Sequence, residues 1–451
     1  MAIASRLRSL SSVFTVTGAE AAAVQRNVGW LVADRLFRLA VGTVLNVWMI
    51  RTLGPSRLGL FSFTQSLVGI FAILSQLGLE TIVVRDLVRQ PEQSRDTLGS
   101  ALALRLGGAL LTLLASVAAT AALRPHGGNA LALAVVFASI YGFLAFDVIE
   151  GWFQSRSRVA PYVVAKSVAF TLASIAKAWA LAVRAPLEVL AMTLALEYAL
   201  AAVGLLAAFR LEPGAPRGWR VRLAVARRLV RDAWPLMLNN VAVLLAIRID
   251  QTMLVLMRGE RENGIYAVAP RLTEILYFIP IAAHSAAAPA LLRSHARDRT
   301  EYERRLKRVF GALTLSAIGI ALPVSLLARW ITTTLFGPAF AESGPVLALH
   351  VWSTPGLFMG VAITNWFIAE QRQIDLFLRS AVGTAANVGL NLWLIPTMGA
   401  RGAALATLIS MTVAYWLANA AFPGTRALFR LQCQSLWPVA ARVDAPDRAG
   451  S

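Results

Sequence analysis

Residues 129–153 read NALALAVVFASIYGFLAFDVIEGWF. From Asn129 to Phe146 there is no charge. Eighteen residues of α-helix rise about 27 Å, close to the ~30 Å hydrocarbon thickness of a bilayer. The stretch is neither alternating nor striped; it is apolar all round, which suits a helix solvated by lipid. Equivalent stretches recur from Val28 to Phe422. They predict twelve transmembrane helices at 28–50, 58–85, 98–122, 129–153, 159–183, 187–210, 232–257, 263–292, 308–330, 343–369, 374–395 and 399–422. The breaks carry turn residues, among them Gly54-Pro55, Pro125 with Gly127-Gly128, Pro186, Gly337-Pro338 and Pro396 with Gly399. The whole 451-residue chain is 57% hydrophobic and 15% charged, where a soluble domain carries about 25% charged residues. The first apolar stretch is too long, and too soon followed by others, for a cleaved signal peptide.

A net charge of +19 would in a soluble chain suggest nucleic acid. Here most arginines sit in short loops between spans, the pattern of a topology signal, so no nucleic-acid partner is expected. On the side holding both termini, Lys and Arg number 27. The other side has eight: Arg51, Arg57, Arg124, Arg184, Arg258, Arg261, Arg329 and Arg401. Positive loops stay inside, which puts both termini on the cytoplasmic side. Cys433 is the only cysteine, so no intrachain disulfide forms. Four histidines without ligand spacing give no metal site, and no nucleotide loop or nucleophile–base set points to a cofactor or a catalytic residue.

The two halves repeat. Gly151-Trp152-Phe153 and Arg158 align with Asn365-Trp366-Phe367 and Arg372 at an offset of 214, and Leu58-Gly59-Leu60-Phe61 aligns with Asn263-Gly264-Ile265-Tyr266 at 205. An even number of helices per half keeps both halves in one orientation. The expected organisation is an N-terminal tail at 1–27, an N-lobe of helices 1–6 at 28–210, a basic linker at 211–231, a C-lobe of helices 7–12 at 232–422, and a C-terminal tail at 423–451. Two six-helix lobes flanking a cleft follow from that symmetry.

Four segments carry a resemblance. They are Leu53-Gly54-Pro55 through Gly59-Leu60-Phe61; Gly78-Leu79-Glu80-Thr81 with Val83-Val84-Arg85-Asp86; Arg248-Ile249-Asp250-Gln251 with Met253-Leu254; and Asn391-Leu392 with Ile395-Pro396, Gly399, Gly402-Ala403-Ala404 and Ala406-Thr407. In order and spacing they resemble the polysaccharide flippase branch of the multidrug/oligosaccharidyl-lipid/polysaccharide transporter superfamily. That resemblance covers residues 28 to about 422. It implies an all-α, twelve-helix, V-shaped fold like that of the superfamily's multidrug exporters. It also implies transfer of undecaprenyl-diphosphate-linked O-antigen, capsule or exopolysaccharide units across the membrane. The implied surroundings are membrane lipid, the lipid-linked oligosaccharide, a polysaccharide polymerase and chain-length machinery.

Charges inside apolar spans are the residues to examine, because each costs about 2.5–3.5 kcal/mol at the bilayer centre even on insertion scales. Lys166 and Lys177 are eleven residues apart, three turns, and share one helix face; they line a cleft, snorkel to a helix end, or form structural pairs. Arg35 and Arg38 lie in the first span, with Asp34 four residues before Arg38. Arg248 and Arg271 are the second-half candidates, with Asp250 and Glu274 as their partners. These cations suit phosphate oxygens, but a structural ion-pair network has the same composition. Asp34, Glu197 and Asp250 are candidates for ion coupling. Glu80, Asp147 and Glu150 gather with Arg85 and Arg105 at one depth as a candidate cytoplasmic gate, or as fastenings of helix ends. Asn387 and Asn391 read as helix–helix hydrogen bonders, and Trp48, Trp152, Trp330, Trp366 and Trp393 as an interfacial belt.

Two other readings remain. A multidrug or cation exchanger of the same superfamily would be expected to have a chamber dominated by unpaired acids, whereas the deep cations here are as numerous. A membrane-embedded polymerase would need an ordered extramembrane loop, and the longest loops are about twenty residues and basic.

Overall fold

A computed structural model describes residues 18–124, 127–283, 287, 291, 294, 298–370 and 372–436. Most of the N-terminal tail, Pro125 and the end of the C-terminal tail therefore lie outside the described residues. Among the described residues every regular element is helical. Ten helical stretches are long and apolar enough to cross a membrane. The first, Asp34–Arg89, takes in both of the first two predicted spans. The span predicted at 374–395 forms a 26-residue helix, Gln373–Met398; its Arg379, Asn387 and Asn391 keep its hydropathy below that of the ten.

In lipid a backbone satisfies its own hydrogen bonds or pays several kcal/mol per orphan, so interruptions are confined to a few places. Gly54 breaks the helix Gly18–Phe71 with φ 68° and ψ 176°, a conformation open to glycine and costly for other residues. The predicted continuous span 58–85 is corrected. Leu77 and Gly78 are both left-handed, at φ 52° and 61°, and a new helix, Leu79–Arg89, starts there. The last span carries a π-helical turn at Val413–Leu417 between Ala400–Thr412 and Ala418–Ala421.

The chain divides into two compact units. One comprises residues up to Met49 together with Phe71–Trp234; the other comprises Ile50–Ile70 and the chain from Pro235 onward. In the first unit the irregular segment after Leu211 closes over the start of Ser94–Leu123: the Arg220 amide donates to the Arg95 carbonyl at 3.1 Å, and the Arg222 amide donates to Ser100 Oγ at 3.0 Å. In the second unit apolar clusters pack the interior among the described residues. One is built on Tyr302, Phe310, Phe358, Ile363 and Phe367, another on Leu254, Ile265, Tyr266, Leu347 and Ile395.

The sequence repeat has a structural counterpart. Gly259, 205 residues after Gly54, has φ 89° and ψ 177°, the conformation of Gly54. Within the second unit the two related segments pack on each other. A Cβ on Gly59 would collide with the Glu260 carbonyl, one on Gly264 would collide with that of Pro55, and Asn263 Nδ2 donates to the Gly59 carbonyl at 2.8 Å. Trp152 stands edge-on to Phe153 at 5.1 Å, as Trp366 does to Phe367 at 5.2 Å. Both indoles are buried, at 1% and 3% exposure. The belt assignment is thus corrected for Trp152 and Trp366, which pack inward on aromatic neighbours. Trp48, Trp330 and Trp393 are exposed, as a belt requires. Around both units large apolar side chains such as Leu114, Ile175, Val203, Leu315 and Leu326 are open to the surroundings, a surface that only lipid solvates without cost.

Candidate functional site

The first unit assembles its buried charges from three helices, Gly18–Phe71, Ala160–Ala182 and Leu187–Leu211. One turn of the first brings Asp34 beneath Arg38, whose Nε lies 2.9 Å from Oδ1. Arg38 Nη1 reaches Glu197 Oε1 on the third at 3.2 Å. The guanidinium carbon stands 4.9 Å from the centre of the Phe170 ring, and Ser167 donates to Asp34. Lys177 is 8% exposed and donates to Asn46 Oδ1 at 3.0 Å; Glu197 lies within its electrostatic reach. Arg38 Nη2 is buried without a partner. The side chains of Arg38, Asp34 and Glu197 keep 26%, 18% and 22% exposure. Two cations and two carboxylates thus share a half-wet cluster. Arg35, one residue past Asp34, is exposed.

Lys166 and Lys177 do lie along one helix, but they join different groups. Lys166 Nζ is 3.0 Å from Asp147 Oδ1 and also bridges Glu150. Arg105 is within electrostatic reach of Asp147, Glu80 and Glu150 and donates to the Leu144 carbonyl at 3.3 Å. Four of the five groups expected to cluster at one depth therefore do so, with Lys166 as their additional cation. Arg85 is elsewhere: its Nη2 lies 2.8 Å from Asp86 and 2.7 Å from Asp232, and Arg228 shares Asp86 at 3.3 Å.

Asp232 precedes the span Met237–Arg258. The hydrogen bond from Arg85 holds its carboxyl below the ordinary range. A depressed carboxylate stabilises above its unfolded value, and the gain is lost as pH falls through the folded value. Asp232→Asn is expected to cost less than about 1 kcal/mol of stability at pH 7, as for other solvent-accessible pairs, and so to lower the thermal midpoint slightly. The difference should begin to shrink near the ordinary aspartate value of about 3.9 and vanish only once pH has fallen through the lower folded value; an acid series of melting curves in detergent checks both points.

In the second unit the expected pairings fail. Asp250 is not paired with Arg248, because residues two apart on a helix point about 200° from each other. Instead, Asp250 is 1% exposed and held by neutral donors: Tyr266 Oη at 2.6 Å, Thr407 Oγ1 at 2.7 Å and Asn391 Nδ2 at 3.1 Å. Asn391 also donates to Asn387 Oδ1 at 3.0 Å, and Asn387 to Ser410 Oγ at 3.3 Å. The asparagines are helix–helix bonders, as expected. Arg271 stands within electrostatic reach of Glu274 but makes no contact of ion-pair length with it among the described residues, and its Nη1 is buried without an acceptor. Arg248 lies against Gly69, 3.8 Å from the position of a Cβ. No group of His, Cys, Asp and Glu among the described residues has the geometry of a metal site. Sequence reasoning met Tyr266 only in the repeat and Thr407 only in the resemblance, without giving either a role at this site, and it gave none to Arg379.

The family model described as polysaccharide biosynthesis protein matches residues 24–295. The probable flippase AglR of Haloferax volcanii is 30% identical over 168 residues, covering 36% of this chain and 34% of that protein. The chain thus matches about a third of that relative's length. A multidrug resistance MATE family transporter of the MOP superfamily, solved facing inward, superposes with a TM-score of 0.72 at 15% identity, over 88% of this chain and 95% of that one. The lipid II flippase MurJ, inward closed, does so at 0.68 and 12% identity, over 91% of each. These likenesses fix an all-α multi-pass membrane fold of the MATE type.

Proposed function

We propose, since this chain belongs to the polysaccharide biosynthesis protein family, that it flips an undecaprenyl-diphosphate-linked oligosaccharide unit from the cytoplasmic to the periplasmic face of a bacterial inner membrane. The movement is alternating access between the N-lobe at 28–210 and the C-lobe at 232–422, with both termini cytoplasmic. A polysaccharide polymerase and its chain-length partner would consume the product.

One observation carries the reading: the partly exposed cluster of Asp34, Arg38, Lys177 and Glu197 within membrane-spanning helices of the first unit. A guanidinium at this depth is tolerable while carboxylates balance it. A diphosphate carries the same charge as two carboxylates and offers more acceptor oxygens, one of which the unpartnered Arg38 Nη2 could take. In this reading Asp34 and Glu197 hold the site until the substrate replaces them. Arg35, Arg248 and Arg271 supply further positive charge, and Lys166 with Glu80, Arg105, Asp147 and Glu150 forms the gate, while Arg85 is tied to Asp86 and Asp232 instead. Asp250 carries the coupling cation.

The test is a vesicle assay with a diphosphate-linked glycolipid. Arg38→Gln and Lys177→Gln are each expected to slow translocation at least about tenfold, equivalent to roughly 1.4 kcal/mol, while the protein stays folded by its melting curve. If both folded variants move the lipid at the normal rate, the cluster is not the head-group site.

A further inference from the structure

A second feature, wholly within the second unit, has no part in that scheme. A cavity of about 280 Å³ lies among the helices Leu223–Arg258, Thr354–Ala369 and Gln373–Met398 and the segment 410–415. Its walls are largely apolar, with Val243, Ile247 and Leu357 among them, and Arg379 enters it. Arg379 is 3% exposed. Its guanidinium carbon lies 5.0 Å from the ring centres of both Phe367 and Tyr415. Nε and Nη1 are buried without an acceptor, and no carboxylate among the described residues stands within ion-pair distance.

The surroundings are built around that side chain. Tyr415 sits in the π-helical turn Val413–Leu417, a rare element that is frequent at functional sites. The turn is pinned through the Tyr415 carbonyl, which accepts from Gln432 Nε2 at 2.8 Å and Asn419 Nδ2 at 3.1 Å. Gly360 makes room for the ring: a Cβ there would lie 2.5 Å from Tyr415 Cε1. Stacking on two rings recovers part of the cost of desolvating a cation, yet the orphaned donors stay unsatisfied and the charge itself stays unbalanced. A bound anion removes all of these costs at once through charge-assisted hydrogen bonds.

We propose that this cavity binds a compact oxyanion, a carboxylate or phosphate group, on Arg379 between Phe367 and Tyr415. The volume lies near the lower end of small-molecule pockets, ~300 Å³, which suits one acidic sugar or one lipid head group. The binding is independent of what the protein translocates and is measured without transport.

The experiment follows thermal unfolding of the purified protein in an uncharged detergent by tryptophan fluorescence. Probes are millimolar glucuronate, inorganic phosphate and mixed micelles of phosphatidylglycerol; glucose and phosphatidylcholine are the uncharged and zwitterionic controls. At least one oxyanion probe should raise the midpoint by about 2–4 °C. A shift from the soluble anions identifies a sugar acid or phosphate ester; a shift from phosphatidylglycerol alone identifies a lipid head group. Arg379→Met should lose the shift while keeping a basal midpoint at or above that of the parent, since it deletes the orphaned donors at similar volume. Val243→Phe, which fills the cavity and leaves Arg379 in place, should also lose it. The proposal is overturned if no oxyanion shifts the parent protein, or if either folded variant responds as the parent does.

Discussion

Replacing Gly264 by valine is expected to abolish accumulation of folded protein. A Cβ at this position would fall on the Pro55 carbonyl, and across the same contact one at Gly59 would fall on the Glu260 carbonyl. Both obstacles are backbone. The Pro55 segment follows the kink at Gly54, and Glu260 follows the matching kink at Gly259, so neither chain retreats by adjusting a rotamer. Overpacked cores that relax through side chains lose about 1–3 kcal/mol; a clash between two helix backbones should exceed ~4 kcal/mol, the range of exceptional substitutions. Moving these helices apart would also break the hydrogen bond from Asn263 to the Gly59 carbonyl. The matched control is Gly42→Ala. Nothing lies within 4 Å of a Cβ there, and helix propensity favours alanine by about 1 kcal/mol. Membrane yield and detergent melting curves of the two variants separate the cases. A Gly264→Val protein that extracts and melts like the parent would show that the repeat-related segments are not in contact.

This contact also marks how far the sequence carried. The offset linking Gly59 to Gly264 was legible, because duplicated helices keep their small residues where backbones meet; that the two copies meet each other was not. Spans were legible because lipid leaves composition little freedom. The break at Leu77-Gly78 was hidden, since one leucine in a left-handed conformation has no compositional signature. Trp152 and Trp366 were misplaced because a position near a helix end does not say whether a ring points inward or outward. Among charges, the local pair was readable: Asp34 and Arg38 are one turn apart. The pairing of Arg38 with Glu197 spans 159 residues and depends on how helices pack. Arg248 and Asp250 were paired on proximity in sequence, where helix geometry already opposed it. Arg379 was overlooked because its partners are rings, and aromatic residues in a membrane helix are too common to signal a cation.

Asp250→Asn is expected to leave the protein folded and to remove the dependence of transport on an imposed ion gradient. The carboxylate accepts from Tyr266, Thr407 and Asn391, all neutral, and no cationic side chain among the described residues lies within ion-pair distance. Burying one unbalanced charge costs several kcal/mol. Three hydrogen bonds from neutral donors, about 1.5–3 kcal/mol each when the acceptor is charged, offset much of that cost but supply no countercharge. A proton or a metal cation taken up by Asp250 and later released therefore changes the energy of this unit by more than most single contacts do. Asparagine has the same shape, takes up no proton and lacks the negative charge that draws a metal cation. Its new N–H donors have somewhere to go: Asn391 Oδ1 is buried without a partner. An amide flip at Asn391, followed by Asn387, lets it accept, so the folding cost should stay near 1 kcal/mol. Asp250→Leu offers no acceptor and strands three donors, each worth about 1–3 kcal/mol; it should fail to fold. The measurement is translocation in vesicles with and without imposed proton and sodium gradients. The parent should speed up under one of them and Asp250→Asn under neither. If the asparagine variant responds to the same gradient as the parent, the coupling ion is carried elsewhere, and Glu197 beside Arg38 becomes the acid to replace next.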